Sequence, residues 1–281
     1  MFELTAFNFI MLLAMGVFVG LLGSALGVGG GIFMVPFLVL VLKIPIHQAV
    51  AASLAAIIAT SSAVAAVNVE RGLANIRLGI TLEVTTAAGS IAGALVSSRL
   101  DAGSVQLMFA LMLFPASVLM FMKGRHSLKK PVSAAAPGAG GSSSFDSAFF
   151  DPALAAHTSY GVRNIAPASL VSFVAGSLSG LLGIGGGIVQ VPVMNLMCGV
   201  PMKAAAATSN FIIGVSAAAS AYVYFRRGLM PLEVTAVTVL GVLIGSFLGM
   251  YALYRVRAEK LQLAFSALTL LVGVKMLMTA F

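Results

Sequence analysis

The chain has 281 residues, of which 60% are hydrophobic and 9% are charged, and its formal net charge is +8 at pH 7. Because a typical soluble domain carries roughly 25% charged residues, this composition excludes a soluble globular protein and predicts an all-α polytopic membrane protein. The single cysteine, Cys198, excludes an internal disulfide, and the basic residues lie between apolar segments, where they are expected to set membrane topology rather than to bind nucleic acid.

Ten hydrophobic segments follow one another along the chain, five in each half. They cover 4–26, 29–42, 48–69, 76–98 and 104–122 in the first half, and 165–182, 185–198, 204–225, 231–254 and 261–281 in the second. The second segment of each half has about 14 residues, fewer than the roughly 20 that a transmembrane helix needs. Each short segment is therefore predicted to be a half-helix or a re-entrant segment, and the chain is predicted to have eight to ten transmembrane segments.

The two halves are separated by a stretch of different composition. Basic residues at the end of the fifth segment lead into an Ala-Pro-Gly-Ser sequence around Pro137 to Ser144, which is typical of a flexible linker. The predicted domains are an N-terminal transmembrane repeat, 1–122, a cytoplasmic flexible linker, 123–164, and a C-terminal transmembrane repeat, 165–281.

A duplication relates the two halves. Shifting the sequence by 156 residues without a gap gives 26 identities over the 81 columns from Gly20 to Leu100. At its centre, the run GVGGGIFMVP that ends at Pro36 is repeated as GIGGGIVQVP, which ends at Pro192. A duplicated glycine-rich break inside apolar segments is typical of transporters that are built from two repeats and bind substrate at their broken helices.

The distribution of basic residues bears on the orientation of the repeats. If all five segments of each half cross the membrane, eleven basic residues fall on one side and four on the other; if the short segments are re-entrant, the division is nine against six. The positive-inside rule therefore favours five crossings per half, with the linker in the cytoplasm and both termini outside. An odd number of crossings predicts inverted repeats.

The glycine runs are predicted to form an anion site. Consecutive glycines allow positive φ angles and an opened backbone, and the N-terminus of the helix that follows favours an anion. At membrane depth, such a backbone must be buried in protein or line a cavity. The alternative is close helix packing through small residues. Two equivalent copies favour a site, and neither copy ends in the Gly-Lys-Ser/Thr of a nucleotide-binding loop.

Polar residues recur along the segments that follow the glycine runs. Ser53 and Ser209 are equivalent in the two halves, whereas Gln190, Thr208 and Asn210 are polar only in the second half, so the pocket is predicted to be asymmetric. For any single hydroxyl, a hydrogen bond to neighbouring backbone is the commoner role. The residues predicted to bind substrate are Gly29, Gly30, Gly31, Ser53, Gly185, Gly186, Gly187, Gln190, Thr208, Ser209 and Asn210.

Glu83 is the acidic residue that lies deepest within an apolar segment, and its counterpart in the second half is Val239. Buried carboxyl groups in membrane proteins commonly serve as proton relays, so Glu83 is a candidate for proton coupling. Pairing with Arg77 near the headgroups is the alternative, and the sequence leaves both open. Since no His/Asp/Glu cluster has the spacing of metal ligands and no nucleophile–base pair is evident, we expect neither an enzyme nor a cofactor or metal site.

The repeated motifs resemble those of the TauE/SafE family. Each Gly-x-Gly-Gly-Gly-x-x-x-Val-Pro run is followed by Pro-x-basic-x-Ala-x-Ala-x-Ser and later by Arg-Gly, at Arg71-Gly72 and Arg227-Gly228. The second copy is the fuller match, since Leu54 stands where the second half has Asn210. The similarity covers essentially the whole chain except the linker.

The resemblance implies a function. Members of the TauE/SafE family are bacterial permeases associated with the export of sulfite and organosulfonates. It therefore implies a multi-pass transporter of the bacterial inner membrane, monomeric or homodimeric, that exports a small sulfur-containing anion by alternating access between its repeats. An anion channel of the same fold and an importer of a related organic anion are the alternatives.

Overall fold

The computed structural model describes residues 5–26, 29–127, 144–151, 156–252 and 258–280, which form ten helices and one two-stranded sheet. The helices of the first half are α1 Ala6–Leu26, α2 Gly31–Leu40, α3 Ile46–Glu70, α4 Ile76–Ser97 and α5 Ala102–Ser127. Those of the second half are α6 Ile165–Leu182, α7 Gly187–Pro192, which continues into a π-helical turn Val193–Met197, α8 Met202–Arg226, α9 Leu232–Ala252 and α10 Ala258–Ala280.

The predicted fold class is confirmed. Within the described residues, six helices, namely α1, α3, α4, α6, α8 and α9, are long and apolar enough to cross a membrane. The chain is therefore an all-α, multi-pass membrane protein. The two short helices begin at the glycine runs, at Gly31 and Gly187, as the sequence predicts.

Equivalent helices begin at equivalent positions in the two halves. The shift of 156 residues that aligns the sequences also aligns the starts of α2 with α7, α3 with α8, α4 with α9 and α5 with α10. The packing follows the same correspondence, because α1 lies along α9, α6 lies along α4, α3 packs against α8, and α5 packs against α10. Each of these contacts joins one half to the other, so the halves form a single interlocked helical body.

Glycines allow the backbones of paired helices to touch. A Cβ atom at Gly89 of α4 would collide with the carbonyl oxygen of Phe173 in α6, and one at Gly245 of α9 would collide with that of Val17 in α1. These two contacts are equivalent under the shift. Close packing through small residues is therefore used by this chain, at glycines outside the two motifs.

Each short helix returns toward the end of the molecule at which the preceding helix begins. Residues 41–45 and Gln48, after α2, line an open groove of about 920 Å³ together with Thr5 and Asn8, at the start of α1. In the second half, the backbone N–H of Arg163, before α6, donates to the carbonyl of Cys198, after α7, at 3.2 Å. The second helix of each pair, α1–α2 and α6–α7, thus folds back along the first, and the glycine run lies at the turn between them.

The described loops gather at two ends of the helical body. At one, which we call the terminal end, His47 contacts the carbonyl of Ser97 (3.0 Å) and Gln106 donates to Thr279 (2.8 Å). At the other end, Asn75 donates to the carbonyl of Phe145 at 2.8 Å. We call this the hairpin end, after the antiparallel strands Ser147–Asp151 and Ala156–Tyr160 that follow Phe145. The described loops therefore divide between the two ends in the way that five alternating segments in each half would divide them. The orientation of the repeats in a membrane stays a prediction.

Part of the stretch between the halves is folded, which its composition does not indicate. Strands β1 Ser147–Asp151 and β2 Ala156–Tyr160 pair antiparallel, with Ser147 opposite Tyr160. Phe149, Tyr160 and Val162 are buried in an apolar cluster with residues of α4 and α7. Residues 144–151 and 156–164 therefore include a hairpin that packs on the helices, whereas 128–143 lie outside the described residues. The predicted linker and the domain boundaries stay predictions.

Candidate functional site

Both glycine runs adopt a left-handed backbone in the interior. The φ angle is +79° at Gly29 and +78° at Gly30 before α2, and it is +90° at Gly185 and +64° at Gly186 before α7. Residues with a side chain rarely adopt these angles, which explains why glycine stands at these positions. Gly187 is the first residue of α7, and all five residues from Gly183 to Gly187 are buried.

The two breaks come close to each other at the centre of the molecule. Ser53 of α3 donates a hydrogen bond of 2.8 Å to the carbonyl of Gly183, the residue that directly follows α6. A Cβ atom at Gly31 would collide with that same carbonyl oxygen. At Gly29, a Cβ atom would lie 3.3 Å from Ile57 and 3.5 Å from Ile213, which are equivalent residues of α3 and α8.

The first break is tightly filled. Besides the Gly183 carbonyl, a Cβ atom at Gly31 would lie 2.7 Å from Ile57 and 2.9 Å from the hydroxyl of Ser53. At Gly30 it would lie 2.6 Å from Val19. Three of the predicted site residues, Gly30, Gly31 and Ser53, therefore serve close packing and a hydrogen bond between the halves in this conformation.

The second break has more space and more polar groups. A Cβ atom at Gly186 would meet Ser179 at 3.4 Å and the carbonyl of Ala175 at 3.5 Å, which are ordinary contacts. The hydroxyl of Ser179 is buried and has no hydrogen-bond partner among the described residues. Sequence reasoning missed Ser179 because its counterpart is Gly23, so a comparison of equivalent positions does not mark it as polar in both halves.

Ser209 is also buried without a partner in the described part of the chain. Its counterpart Ser53 lies against the start of α2, and α7 packs against α8 as α2 packs against α3. We infer from this correspondence that Ser209 lies beside the start of α7. Ser179 therefore contacts the second glycine run directly, whereas the place of Ser209 beside it is inferred from the repeat.

Gln190 connects α7 with two helices, one from each half. Its amide oxygen accepts a hydrogen bond from Ser172 of α6 (3.2 Å), and its amide nitrogen donates to the hydroxyl of Thr86 in α4 (2.8 Å). The side chain of Gln190 is fully buried. The positions equivalent to Gln190, Ser172 and Thr86 carry Met34, Gly16 and Val242, so the repeat contains no second copy of this polar network.

Thr208 and Asn210 face different neighbours, although they flank Ser209. The hydroxyl of Thr208 accepts a hydrogen bond of 2.9 Å from the backbone N–H of Asn75, at the start of α4. Asn210 lies one helical turn before Gly214, which contacts Ser61 of α3, so it is placed on the face of α8 that points to α3. The structure therefore does not bring all the predicted residues to one point.

Glu83 lies on the buried face of α4. Its side chain is 7% exposed, and within the described residues neither carboxyl oxygen has a hydrogen-bond partner. One turn before Glu83, a Cβ atom at Gly79 would lie 3.1 Å from the ring of Phe211 in α8. One turn after Glu83, the hydroxyl of Thr86 accepts the hydrogen bond from Gln190. The guanidinium of Arg77 instead donates to the carbonyl of Ser144 at 3.2 Å. Pairing with Arg77 is therefore not observed.

The sequence profile of the family described as "Sulfite exporter TauE/SafE" matches residues 12–276. The chain belongs to the TauE/SafE family. The TauE/SafE resemblance of the repeated motifs is thereby confirmed. A probable membrane transporter protein of Bacillus subtilis, YunE, is 26% identical over 277 residues, which cover 96% of this chain and 97% of that protein.

Two further relatives extend this comparison. A probable membrane transporter protein of Methanocaldococcus jannaschii is 24% identical over 292 residues, which cover 97% of this chain and 98% of that protein. "Sulfite exporter TauE/SafE family protein 5" of Arabidopsis thaliana is 34% identical over 89 residues, which cover 32% of this chain and 20% of that protein. No solved structure matches the chain significantly. The glycine breaks therefore belong to a TauE/SafE family membrane transporter.

Proposed function

We propose that this TauE/SafE family transporter exports a small sulfur-containing anion, sulfite or an organosulfonate, as a secondary transporter of the bacterial inner membrane. The observation that carries the proposal is the second glycine break, where Ser179 lies beside Gly186 and its hydroxyl is buried without a partner in the described residues. The hydroxyl of Ser209, which we infer to lie beside the start of α7, is also buried without a partner there. The family description supports the choice of substrate class.

The chemistry of this break favours an anion. A buried hydroxyl without a partner costs about 1–3 kcal/mol, and an oxyanion that accepts its hydrogen bond recovers this energy. The first N–H groups of α7 have no acceptor within their own helix and supply further donors. Neutral donors replace the hydration of the anion while holding it loosely enough for release. We therefore place the substrate at Gly185, Gly186, Ser179 and Ser209, with the first break as its packed support.

The arrangement of helices supports alternating access. The two glycine breaks meet between α3 and α8, and each long helix of one half packs against a helix of the other. A rocking of these pairs would expose the second break to one end of the molecule and then to the other. An interior-negative potential drives an anion outward by about 2.3 kcal/mol per charge per 100 mV, which favours export.

The proposal is tested with the purified protein in liposomes. Sulfite loaded inside should leave with saturable kinetics, and sulfite outside should accelerate this flux by counter-transport. Ser179→Ala and Ser209→Ala should each reduce the flux. Ser246→Ala is the matched control, because the Ser246 hydroxyl donates to the carbonyl of Val242 within its own helix at 2.7 Å.

Three results would argue against the proposal. Unitary currents would indicate the alternative of an anion channel, and net uptake against an outward gradient would indicate an importer. An unchanged flux in both serine variants would show that the substrate binds elsewhere. The same preparation also yields the oligomeric state, which we expect to be a monomer or a homodimer.

A further inference from the structure

Within the described residues, Glu83 is the one carboxyl group that is buried. It lies on the face of α4 that carries Gly79, Thr86 and Ser90, at spacings of four, three and four residues. Gly79 contacts α8, Thr86 binds Gln190 of α7, and Ser90 donates to the carbonyl of Ser216 in α8 at 2.9 Å. Glu83 therefore points into the same junction of α4, α7 and α8 that supports the second glycine break.

The elements packed around Glu83 offer it no counter-charge. No ionisable residue occurs in α6 or from Gly187 to Met197. Helix α8 carries Lys203 and Arg226 at its two ends, and Tyr224, which donates to the carbonyl of Gly180 at 3.1 Å. The other ionisable groups of α4, α8 and the described segments next to α6 and α7 are Arg77, Asp146, Tyr160, Arg163, Cys198 and Tyr222. In the described part of the chain, none of these groups contacts the Glu83 carboxyl oxygens.

We propose that Glu83 is a proton-binding site and that the anion binds to this transporter together with a proton. An ionised carboxylate buried without a partner is strongly unfavourable, so Glu83 is neutral while the junction is closed to water. An anion that enters the adjacent break adds a second negative charge, which is tolerated when Glu83 carries a proton and opposed when it does not. This inference rests on the proposed anion transport.

The direction of coupling follows from this electrostatic argument. Because protonation of Glu83 favours anion binding, the loaded carrier holds both ions, and both cross in the same direction. The counterpart of Glu83 is Val239, so the repeat supplies no second carboxyl group at the equivalent position. A monovalent anion then moves without net charge and gains nothing from the membrane potential, whereas a divalent anion moves with one net negative charge, which an interior-negative potential still drives outward. A proton gradient directed inward opposes export by this route, so export of a monovalent anion is driven by the anion's own outward gradient.

The experiment uses the full chain in liposomes, with methanesulfonate as the probe. This anion stays ionised across the pH range, whereas sulfite itself titrates, so any effect of pH reports on the protein. We expect the affinity for methanesulfonate, measured by thermal stabilisation, to fall by up to about tenfold per pH unit on the alkaline side, the limit for one linked proton. A dye inside the vesicles should report proton movement that accompanies the anion.

Glu83→Gln imitates the protonated carboxyl group without a titratable proton. The variant should bind methanesulfonate equally at all pH values, keep anion–anion exchange and lose the accompanying proton movement. Glu233→Gln is the control, because Glu233 is an exposed carboxylate in the first turn of α9, and it should behave as the wild type does. If Glu83→Gln does not fold, the wild-type pH dependence and proton movement decide the question alone.

The outcomes separate this inference from the function on which it rests. Anion transport with a pH-independent affinity and no proton movement would overturn the proton site and leave the transporter in place. If neither methanesulfonate nor sulfite is transported at any pH, the proposed function fails and the proton site fails with it. If only sulfite is transported, equal proton movement in wild type and Glu83→Gln at fixed pH would overturn the proton site.

Discussion

The hydroxyls of Ser53 and Ser209 occupy equivalent positions but have different surroundings. Ser53 donates to the carbonyl of Gly183, whereas Ser209 has no partner in the described residues. A hydrogen bond between neutral groups stabilises a protein by about 0.5–1.5 kcal/mol, and one to a charged group contributes about 1.5–3 kcal/mol. The same substitution should therefore act on stability at one position and on binding at the other.

We expect Ser209→Ala to weaken anion binding by about 1.5–3 kcal/mol, roughly 10- to 150-fold, without lowering the melting temperature, because the removed hydroxyl has no partner to lose. We expect Ser53→Ala to lower the stability by about 1 kcal/mol and to leave the affinity nearly unchanged. Thermal unfolding with and without sulfite measures both quantities. Equal effects of the two substitutions on affinity would show that the anion contacts both breaks.

A substitution at Gly186 tests the opened backbone. Gly186 has a φ angle of +64°, so valine there is strained, and its branched side chain fills the space beside Ser179. We expect Gly186→Val to abolish sulfite flux in liposomes. Gly72→Val is the matched control, because Gly72 has the same φ angle, +64°, but a Cβ atom there would meet nothing within 4 Å.

Both valine variants should therefore lose a similar amount of stability, of the order of 1–2 kcal/mol, from the left-handed backbone. Sulfite flux should be lost in Gly186→Val and kept in Gly72→Val. A Gly186→Val protein that folds and transports sulfite normally would show that the glycines serve packing and that the second break is not the site.

The sequence predicts some of these residues well and others poorly, for physical reasons. The repeated glycines predict the positive φ angles at Gly29 and Gly185. Gln190, whose counterpart is Met34, predicts that the two halves differ in the polar groups around their breaks. The partner of Gln190 could not be predicted, because Thr86 lies 104 residues away on α4. The role of Ser53 as a donor between the halves could not be predicted either, since a serine alone does not reveal its acceptor.

At the scale of elements, Asn75 connects the hairpin to α4. Its side-chain oxygen accepts from the N–H of Leu78 at 3.1 Å and caps α4, while its side-chain nitrogen donates to Phe145 before β1. Its backbone N–H donates to Thr208. One residue therefore links the start of a transmembrane helix, the hairpin and α8.

We expect Asn75→Ala to destabilise the protein by about 0.5–2 kcal/mol, the cost of a lost helix cap, and to loosen the hairpin. Asn75→Asp separates the two roles, because it keeps the acceptor that caps α4 and removes the donor to Phe145. The aspartate variant should also melt below the wild type, because a buried carboxylate oxygen then faces the Phe145 carbonyl, but amide hydrogen exchange should increase in residues 144–151 and not at the start of α4. Unchanged exchange in both variants would show that apolar packing alone holds the hairpin.

The helices could be predicted from hydrophobic segments, whereas the hairpin could not. The segment 48–69 differs by one or two residues at each end from α3, Ile46–Glu70, because apolar length determines a transmembrane helix directly. The strand sequences SAFFD and AHTSY show no clear alternation of apolar and polar residues. They follow a Pro-Gly-Ser stretch whose composition dominates the prediction, and their stability comes from burial of Phe149 and Tyr160 against distant helices.

At the scale of the whole molecule, the two ends differ in charge. The loops of the hairpin end carry eleven basic residues by sequence, of which Lys129, Lys130, Arg255 and Arg257 lie outside the described residues, and those of the terminal end carry four. Since basic loops stay in the cytoplasm, the hairpin end is expected to be cytoplasmic. The chain enters and leaves the helical body at the terminal end, so the second half runs through it in the opposite sense to the first.

Accessibility of single cysteines in intact cells tests this orientation. In a Cys198→Ala background, we expect Ala102→Cys, exposed at the terminal end, to react with an impermeant thiol reagent, and Glu70→Cys, exposed at the hairpin end, to react only after the membrane is permeabilised. Cysteines near residues 2 and 281 should label and those within 136–144 should be protected, although of these positions the structure describes residue 144 alone. The reverse pattern would place the basic loops outside and contradict the charge argument. Labelling of both Ala102→Cys and Glu70→Cys from outside would rule out inverted repeats with five crossings each.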